Sequence, residues 1–158
     1  MDEFSLIDRC FRPLAAGFPG AAGLGNDGAA LAPPPGQVLA VTADTLVAGV
    51  HFMGDEPASM VARKALRVNL SDLAAMGAAP YAYLLCLSLP PALAQPDWLD
   101  GFASGLQADQ QAFSMALCGG DTTQTPGPLS ISITAFGLAG PGRLLTRSGA
   151  GAGEDVYV

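Results

Sequence analysis

The chain has 158 residues, half of them apolar and only 13% charged, with a formal net charge of −7. That balance fits one domain with a buried core and excludes a disordered chain, which is poor in apolar residues and rich in charge. The acidity argues against a nucleic-acid surface, because the seven basic residues are scattered except for Arg63, Lys64 and Arg67.

From the N-terminus, Phe4, Leu6, Ile7, Phe11 and Leu14 recur at roughly helical spacing, which predicts a short amphipathic helix over 3–16. The Gly- and Ala-rich stretch 17–29 reads as a loop, and Pro33-Pro34-Pro35-Gly36 as a turn. Residues 37–42 predict a strand ending near Asp44, and 45–52 a second extended segment. Pro57 suits the first turn of a helix. Residues 58–76 follow as that helix, with Val61, Ala65, Val68 and Asp72 along one face and Gly77 as its C-cap. Residues 81–89 predict a buried strand stopped by Pro90-Pro91, and 96–113 a second long helix. A short strand over 114–118 leads into Gly119-Gly120, and 129–138 alternates as a strand with Leu129, Ile131 and Ile133 on one side. Residues 155–158 read as a strand beginning where the chain stops. Strands alternating with two long helices place the chain in the α/β or α+β class.

Met1-Asp2-Glu3 is acidic where a secretory signal is basic, and the apolar stretch 73–89 is broken by Gly77 and Pro80, so neither a signal nor a membrane span is expected. Cys10, Cys86 and Cys118 form no CxxC pair, which leaves zinc and disulfides unsupported. Each reads as a small buried apolar residue, and the expected compartment is the reducing cytoplasm.

Four isolated aspartates carry the chemical signal. Asp44, in Thr42-Ala43-Asp44-Thr45, follows a strand-like run beside hydroxyls. Such hard oxygens suit Mg²⁺, which takes one or two carboxylates with phosphate oxygens and water. Taken alone, a turn or cap aspartate is the simpler reading. Asp72, in Asn69-Leu70-Ser71-Asp72, lies inside an otherwise apolar helix, where Asn, Ser and Asp are poor formers. An ionised carboxylate near a buried face needs compensation, and a cation supplies it. Asp121 follows two glycines whose N–H groups suit phosphate oxygens, although Gly-Gly-Asp also suits a hairpin turn. Asp27 repeats the theme in Gly23-Leu24-Gly25-Asn26-Asp27-Gly28. Neither a Walker A motif nor a dinucleotide fingerprint is present. His51 is the single histidine, a core or surface residue on its own. Arg147, in Leu145-Thr146-Arg147-Ser148-Gly149, offers a planar fork to a phosphate or is a solvated loop residue.

Strings along the whole chain resemble the thiamine-monophosphate kinase family, within the superfamily of aminoimidazole-ribonucleotide synthetase and selenophosphate synthetase. They are Glu3-Phe4-Ser5-Leu6-Ile7, Gly25-Asn26-Asp27, Thr42-Ala43-Asp44-Thr45-Leu46-Val47-Ala48-Gly49-Val50-His51-Phe52, Lys64-Ala65-Leu66-Arg67-Val68-Asn69-Leu70-Ser71-Asp72-Leu73-Ala74-Ala75-Met76-Gly77, Gly119-Gly120-Asp121-Thr122-Thr123 and Leu145-Thr146-Arg147-Ser148-Gly149-Ala150. The resemblance implies an α+β fold: a mixed, largely antiparallel four-stranded sheet with two long helices on one face. It implies transfer of the γ-phosphoryl group of ATP to thiamine monophosphate, giving thiamine diphosphate. Asp27, Thr42, Ala43, Asp44, Asp72 and Asp121 would hold several Mg²⁺ ions, Gly120, Asp121 and Arg147 would touch ATP, and His51 would face the thiamine substrate. No catalytic side chain is required, because bringing two polyanions together is a task of charge neutralisation and positioning.

Two departures stand out. Asn26 occupies a position that is usually acidic in the family, and Ala43 replaces a hydroxyl residue, leaving its backbone carbonyl as the donor. The family carries a second domain, so residues 1–158 are expected to be its N-terminal ATP- and Mg²⁺-binding and dimerisation domain, with little kinase activity alone. The homodimer is expected to form through these domains, with the ATP site near their interface. A selenophosphate-synthetase-like enzyme and a non-catalytic dimerisation or nucleotide-binding module are the competing readings; the string 45–52 with His51 favours the thiamine enzyme.

Overall fold

Four strands, β1 (Val38–Val47), β2 (Ala79–Leu89), β3 (Ala116–Gln124) and β4 (Ser130–Ala139), form one sheet in the order β1-β4-β2-β3. The structure, a computed structural model, describes residues 3–155. β4 runs antiparallel to both neighbours, and β2 pairs with β3 in parallel. The parallel pair needs a crossover, which α3 (Pro96–Phe113) provides; α2 (Ala58–Ala75) links β1 to β2. This is the mixed, largely antiparallel α+β sheet that the resemblance implied.

Alternation sets the covered face. Leu129, Ile131, Ile133 and Ala135 are buried, while the residues between them are half-buried on the other side. Register carries this face across the sheet: Ile133 lies between Asp44 and Leu85, and Ile131 between Leu46 and Leu87. Each fully buried isoleucine or leucine contributes about 1.5–3 kcal/mol. α2 brings Val61, Ala62, Ala65, Leu66, Asn69, Leu70 and Leu73 to this core at helical spacing. It ends at Gly77, whose φ of +68° only glycine adopts cheaply. There the Gly77 N–H donates to the Ala74 carbonyl and the Ala78 N–H to the Leu73 carbonyl, both at 2.9 Å, satisfying the last turn.

Two polar ties fasten the layers. Asp109 of α3, 1% exposed, accepts Arg67 Nε at 2.7 Å, Arg67 Nη2 at 2.9 Å and Arg63 Nε at 3.1 Å, which locks α2 to α3. The buried Tyr83 hydroxyl of β2 donates to Gln110 Oε1 at 2.6 Å, and Gln110 Nε2 donates to the Leu14 carbonyl at 3.0 Å. Burial raises the Tyr83 pKa well above the usual phenol range, so the hydroxyl keeps the proton it donates.

Several elements differ from expectation. The helix expected over 3–16 is one α-helical turn, α1 (Glu3–Leu6), followed by a π-turn (Ile7–Phe11) and a 3₁₀ turn (Arg12–Ala15). Pro13 lacks the N–H that a continuing α-helix requires. β1 is one strand of ten residues, so Asp44 lies inside it; the extended segment expected over 45–52 divides into the strand end and a turn at 48–52. β3 begins later than expected and runs straight through Gly119-Gly120-Asp121, which is therefore no hairpin turn. The strand expected at 155–158 lies outside the described residues except for Asp155, which belongs to no regular element. Cys10 and Cys118 are buried, but Cys86 is exposed, because its even place in β2 turns it to the other face of the sheet.

Asp109→Ala is expected to cost about 2–3 kcal/mol, read as a lower urea midpoint. The loss is of charge-assisted hydrogen bonds, and the two half-exposed arginines left behind regain water.

Candidate functional site

The predicted site residues other than His51 and Arg147 fall into two groups, one at each edge of the sheet. β1 and β3 are the edge strands, with β4 and β2 between them. At a strand spacing of about 4.8 Å the two groups stand roughly 14 Å apart.

The first group belongs to β1 and α2. Ala40, Thr42, Asp44 and Leu46 alternate onto the helix-covered face. Thr42 Oγ1 donates to Asp72 Oδ2 at 2.7 Å, joining strand to helix. Asp44 is half-buried two residues further along the same face. Asp72 is exposed near the end of α2, so it does not sit on a buried face as its apolar neighbours implied. It is tolerated there because water and Thr42 solvate it. Ala43 alternates outward and is exposed. Asn69, one turn before Asp72, is fully buried; its Nδ2 donates to the Ala65 carbonyl at 3.1 Å, and its Oδ1 has no protein partner.

The second group lines a cavity of about 340 Å³ along β3. Asp27 reaches it from the N-terminal loop, and Gly120, Asp121 and Thr122 from the strand. Cys118 is the extra residue of a bulge: Leu117 pairs with Tyr83 but Gly119 with Leu84. The Cys118 thiol donates to the Tyr83 carbonyl at 3.2 Å, and burial pushes its pKa up to about 11. Past the bulge, Gly120 takes a φ of +147°, and a Cβ there would stand 1.8 Å from the Leu85 carbonyl oxygen. The backbone thus approaches β2 as only glycine allows, while the same residue lines the cavity.

His51 and Arg147 join neither cavity nor strand. His51 lies in the turn after β1, where its Nδ1 accepts the Val47 N–H at 3.0 Å. The neutral ring therefore carries its proton on Nε2 and offers a donor outward. Lys64 of α2 donates to the His51 carbonyl, and the Glu56 carboxylate accepts Met53 and Gly54 N–H groups at 2.8 and 2.7 Å. These two ties went unread in the sequence, where Glu56 and Lys64 are ordinary surface charges. Arg147 follows Leu145, whose N–H donates to the Met76 carbonyl at 3.0 Å; this places the loop beside the end of α2, on the Asp72 side and away from Gly120. Among the described residues, no three acidic, histidine or cysteine side chains converge closely enough to hold a metal ion by themselves.

The sequence and the fold have relatives among known proteins. Residues 25–139 match the family model of AIR synthase related protein, N-terminal domain, and the chain belongs to that family. It is similar to the thiamine-monophosphate kinase of Caulobacter vibrioides, 45% identical over 156 residues, covering 99% of this chain and 44% of the relative. Among solved structures, the thiamine-monophosphate kinase of Stenotrophomonas maltophilia K279a is 47% identical with a TM-score of 0.78, over 93% of this chain and 45% of that one. The complex of AaThiL with AMPPCP and TMP is 29% identical with a TM-score of 0.68, over 94% of this chain and 45% of that one. The chain thus spans about half the length of the curated relatives it matches. Among the described residues, no helix is long and apolar enough to cross a membrane.

Gly120→Ala is expected to lower stability by at least about 2 kcal/mol in thermal melts, since its Cβ meets backbone rather than a movable side chain. The Glu56 pKa is held below the usual carboxylate range, first by the Met53 N–H and then by the Gly54 N–H. Its contribution is present above the unfolded value of about 4.3 and is lost as pH falls through the lower folded value. The Met53 and Gly54 amide proton shifts are expected to titrate together, with a midpoint lower than that of an ordinary glutamate; amide shifts that stay flat through acidification would refute the tie.

Proposed function

We propose that this chain is the nucleotide- and metal-binding half of a thiamine-monophosphate kinase, acting in the cytoplasm as a homodimer. The observation that carries the reading is the β3 cavity, where Asp27 and the Gly120-Asp121 backbone converge from segments more than ninety positions apart. The names of the relatives and the AMPPCP and TMP complex support the same reaction. The substrates are then ATP and thiamine monophosphate, and the γ-phosphoryl group passes to the acceptor phosphate.

The donor chemistry fits Mg²⁺. Thr42, Asp44 and Asp72 offer hydroxyl and carboxylate oxygens on one edge, with the buried Asn69 Oδ1 a turn away; Asp27 and Asp121 offer carboxylates on the other. Bound there, Mg²⁺ would neutralise phosphate charge. Ala43 would contribute only its carbonyl. Gly120 would offer its backbone to phosphate oxygens, Arg147 would pair with a phosphate by its fork, and His51 would present Nε2–H to the thiamine substrate. None of these side chains need exchange a proton with the substrate, because the acceptor phosphate is already ionised.

The two-edge arrangement favours the dimer. A single chain leaves each acidic group incomplete, and a two-fold partner that sets its β3 edge beside this chain's β1 edge would unite them. The outward face, with Val41 and Cys86 exposed, would be covered in such a pair. Calorimetry with Mg²⁺ and AMPPCP tests the reading. Binding that needs the metal and is weakened at least about tenfold by Asp72→Ala is expected. Metal-independent binding, or none, overturns it.

A further inference from the structure

Phe4 is the largest side chain at the β3 cavity that the core does not use. It lines the cavity beside Ile7 and Phe11, yet 78% of it is exposed, whereas Phe11 is 4% exposed. Leu6 and Ile7 pack on the core and Phe4 does not. A phenylalanine left in water forgoes about 1.5–3 kcal/mol of burial, so folding does not account for its position.

The cavity lining combines two kinds of surface: apolar side chains, among them Phe4, Ile7 and Leu117, and the carboxylates of Asp27 and Asp121 with the Gly120 backbone. A ligand that fits both must be flat and apolar at one end and carry cation-bridged anionic groups at the other, since bare anions are repelled by two carboxylates. A cavity of about 340 Å³ is within the range that small ligands fill. Resting on the nucleotide reading above, we propose that Phe4 is the residue against which the base of the bound nucleotide stacks, with the phosphates toward Asp27 and Asp121. The half-buried Ile7 lines the same cavity, and the N-terminal segment is held in place by the Gln110 bond to Leu14. Stacking recognises any base through its π-face, so Phe4 contributes affinity and little choice between purines.

The test compares Mg²⁺–AMPPCP, Mg²⁺–GMPPCP and Mg²⁺–tripolyphosphate by calorimetry on the 158-residue chain and on its Phe4→Ala and Phe4→Trp variants. Phe4→Ala is expected to weaken both nucleotides about tenfold, to leave tripolyphosphate unchanged and to keep the melting temperature. Phe4→Trp is expected to hold or strengthen nucleotide binding. Equal losses for nucleotides and tripolyphosphate, or no loss at all, overturn the stacking role while leaving the nucleotide reading intact. Wild-type protein that binds tripolyphosphate but no nucleotide overturns the stacking role as well. Wild-type protein that binds neither overturns the nucleotide reading and the stacking role with it.

Discussion

A four-stranded sheet covered by helices on one face, with only part of the other face under the N-terminal segment at Ala82, Leu84 and Phe136, leaves its edges to be finished by other means, and the rest of this molecule follows from that constraint. The covered face takes the apolar alternation of β4 and β2, together with α2 and α3. The functional side chains are displaced to where the cover ends. Thr42 and Asp72 meet where α2 packs on β1, with Asp44 two residues further along the strand, and Asp121 sits on the β3 edge. A carboxylate inside the covered core would need cationic partners of its own, like the two arginines around Asp109, whereas edge positions keep oxygens near water and available to a cation.

The β3 edge is finished by the N-terminal segment rather than by another strand. Its broken helix, forced by Pro13, turns the chain so that Leu14 meets Gln110 and the following loop carries Asp27 to the cavity. Tyr83, Gln110 and Leu14 thus connect a central strand, a helix and the segment that walls the site. The bulge at Cys118 and the glycine after it re-aim β3 at the same place. Local irregularity is concentrated where a ligand would sit, as expected when backbone geometry is shaped for binding.

Much of the fold was legible. The β4 alternation, both long helices and the Gly77 cap follow from spacing and from the conformational freedom of glycine, which are local properties. The joins were not. Residues 37–47 read as two pieces because Thr42-Ala43-Asp44-Thr45 lacks apolar weight, and ladder bonds to β4 hold them as one strand. Gly119-Gly120-Asp121 has hairpin chemistry, and pairing with β2 overrides it. Cys86 looks like its buried neighbours in composition, and only register turns it outward.

The sequence by itself determined which residues carry hard oxygens and glycine flexibility, and in what order. It also determined the family, because ordered strings around Asp27, Asp44, Asp72 and Asp121 survive any uncertainty in local structure. Tertiary structure alone decided how those residues are grouped. Thr42 joins Asp72 across thirty positions, and Asp27 joins Asp121 across more than ninety, while the two pairs stay on opposite edges. Strand order and crossover set such distances, and neither leaves a trace in the spacing of residues along the chain.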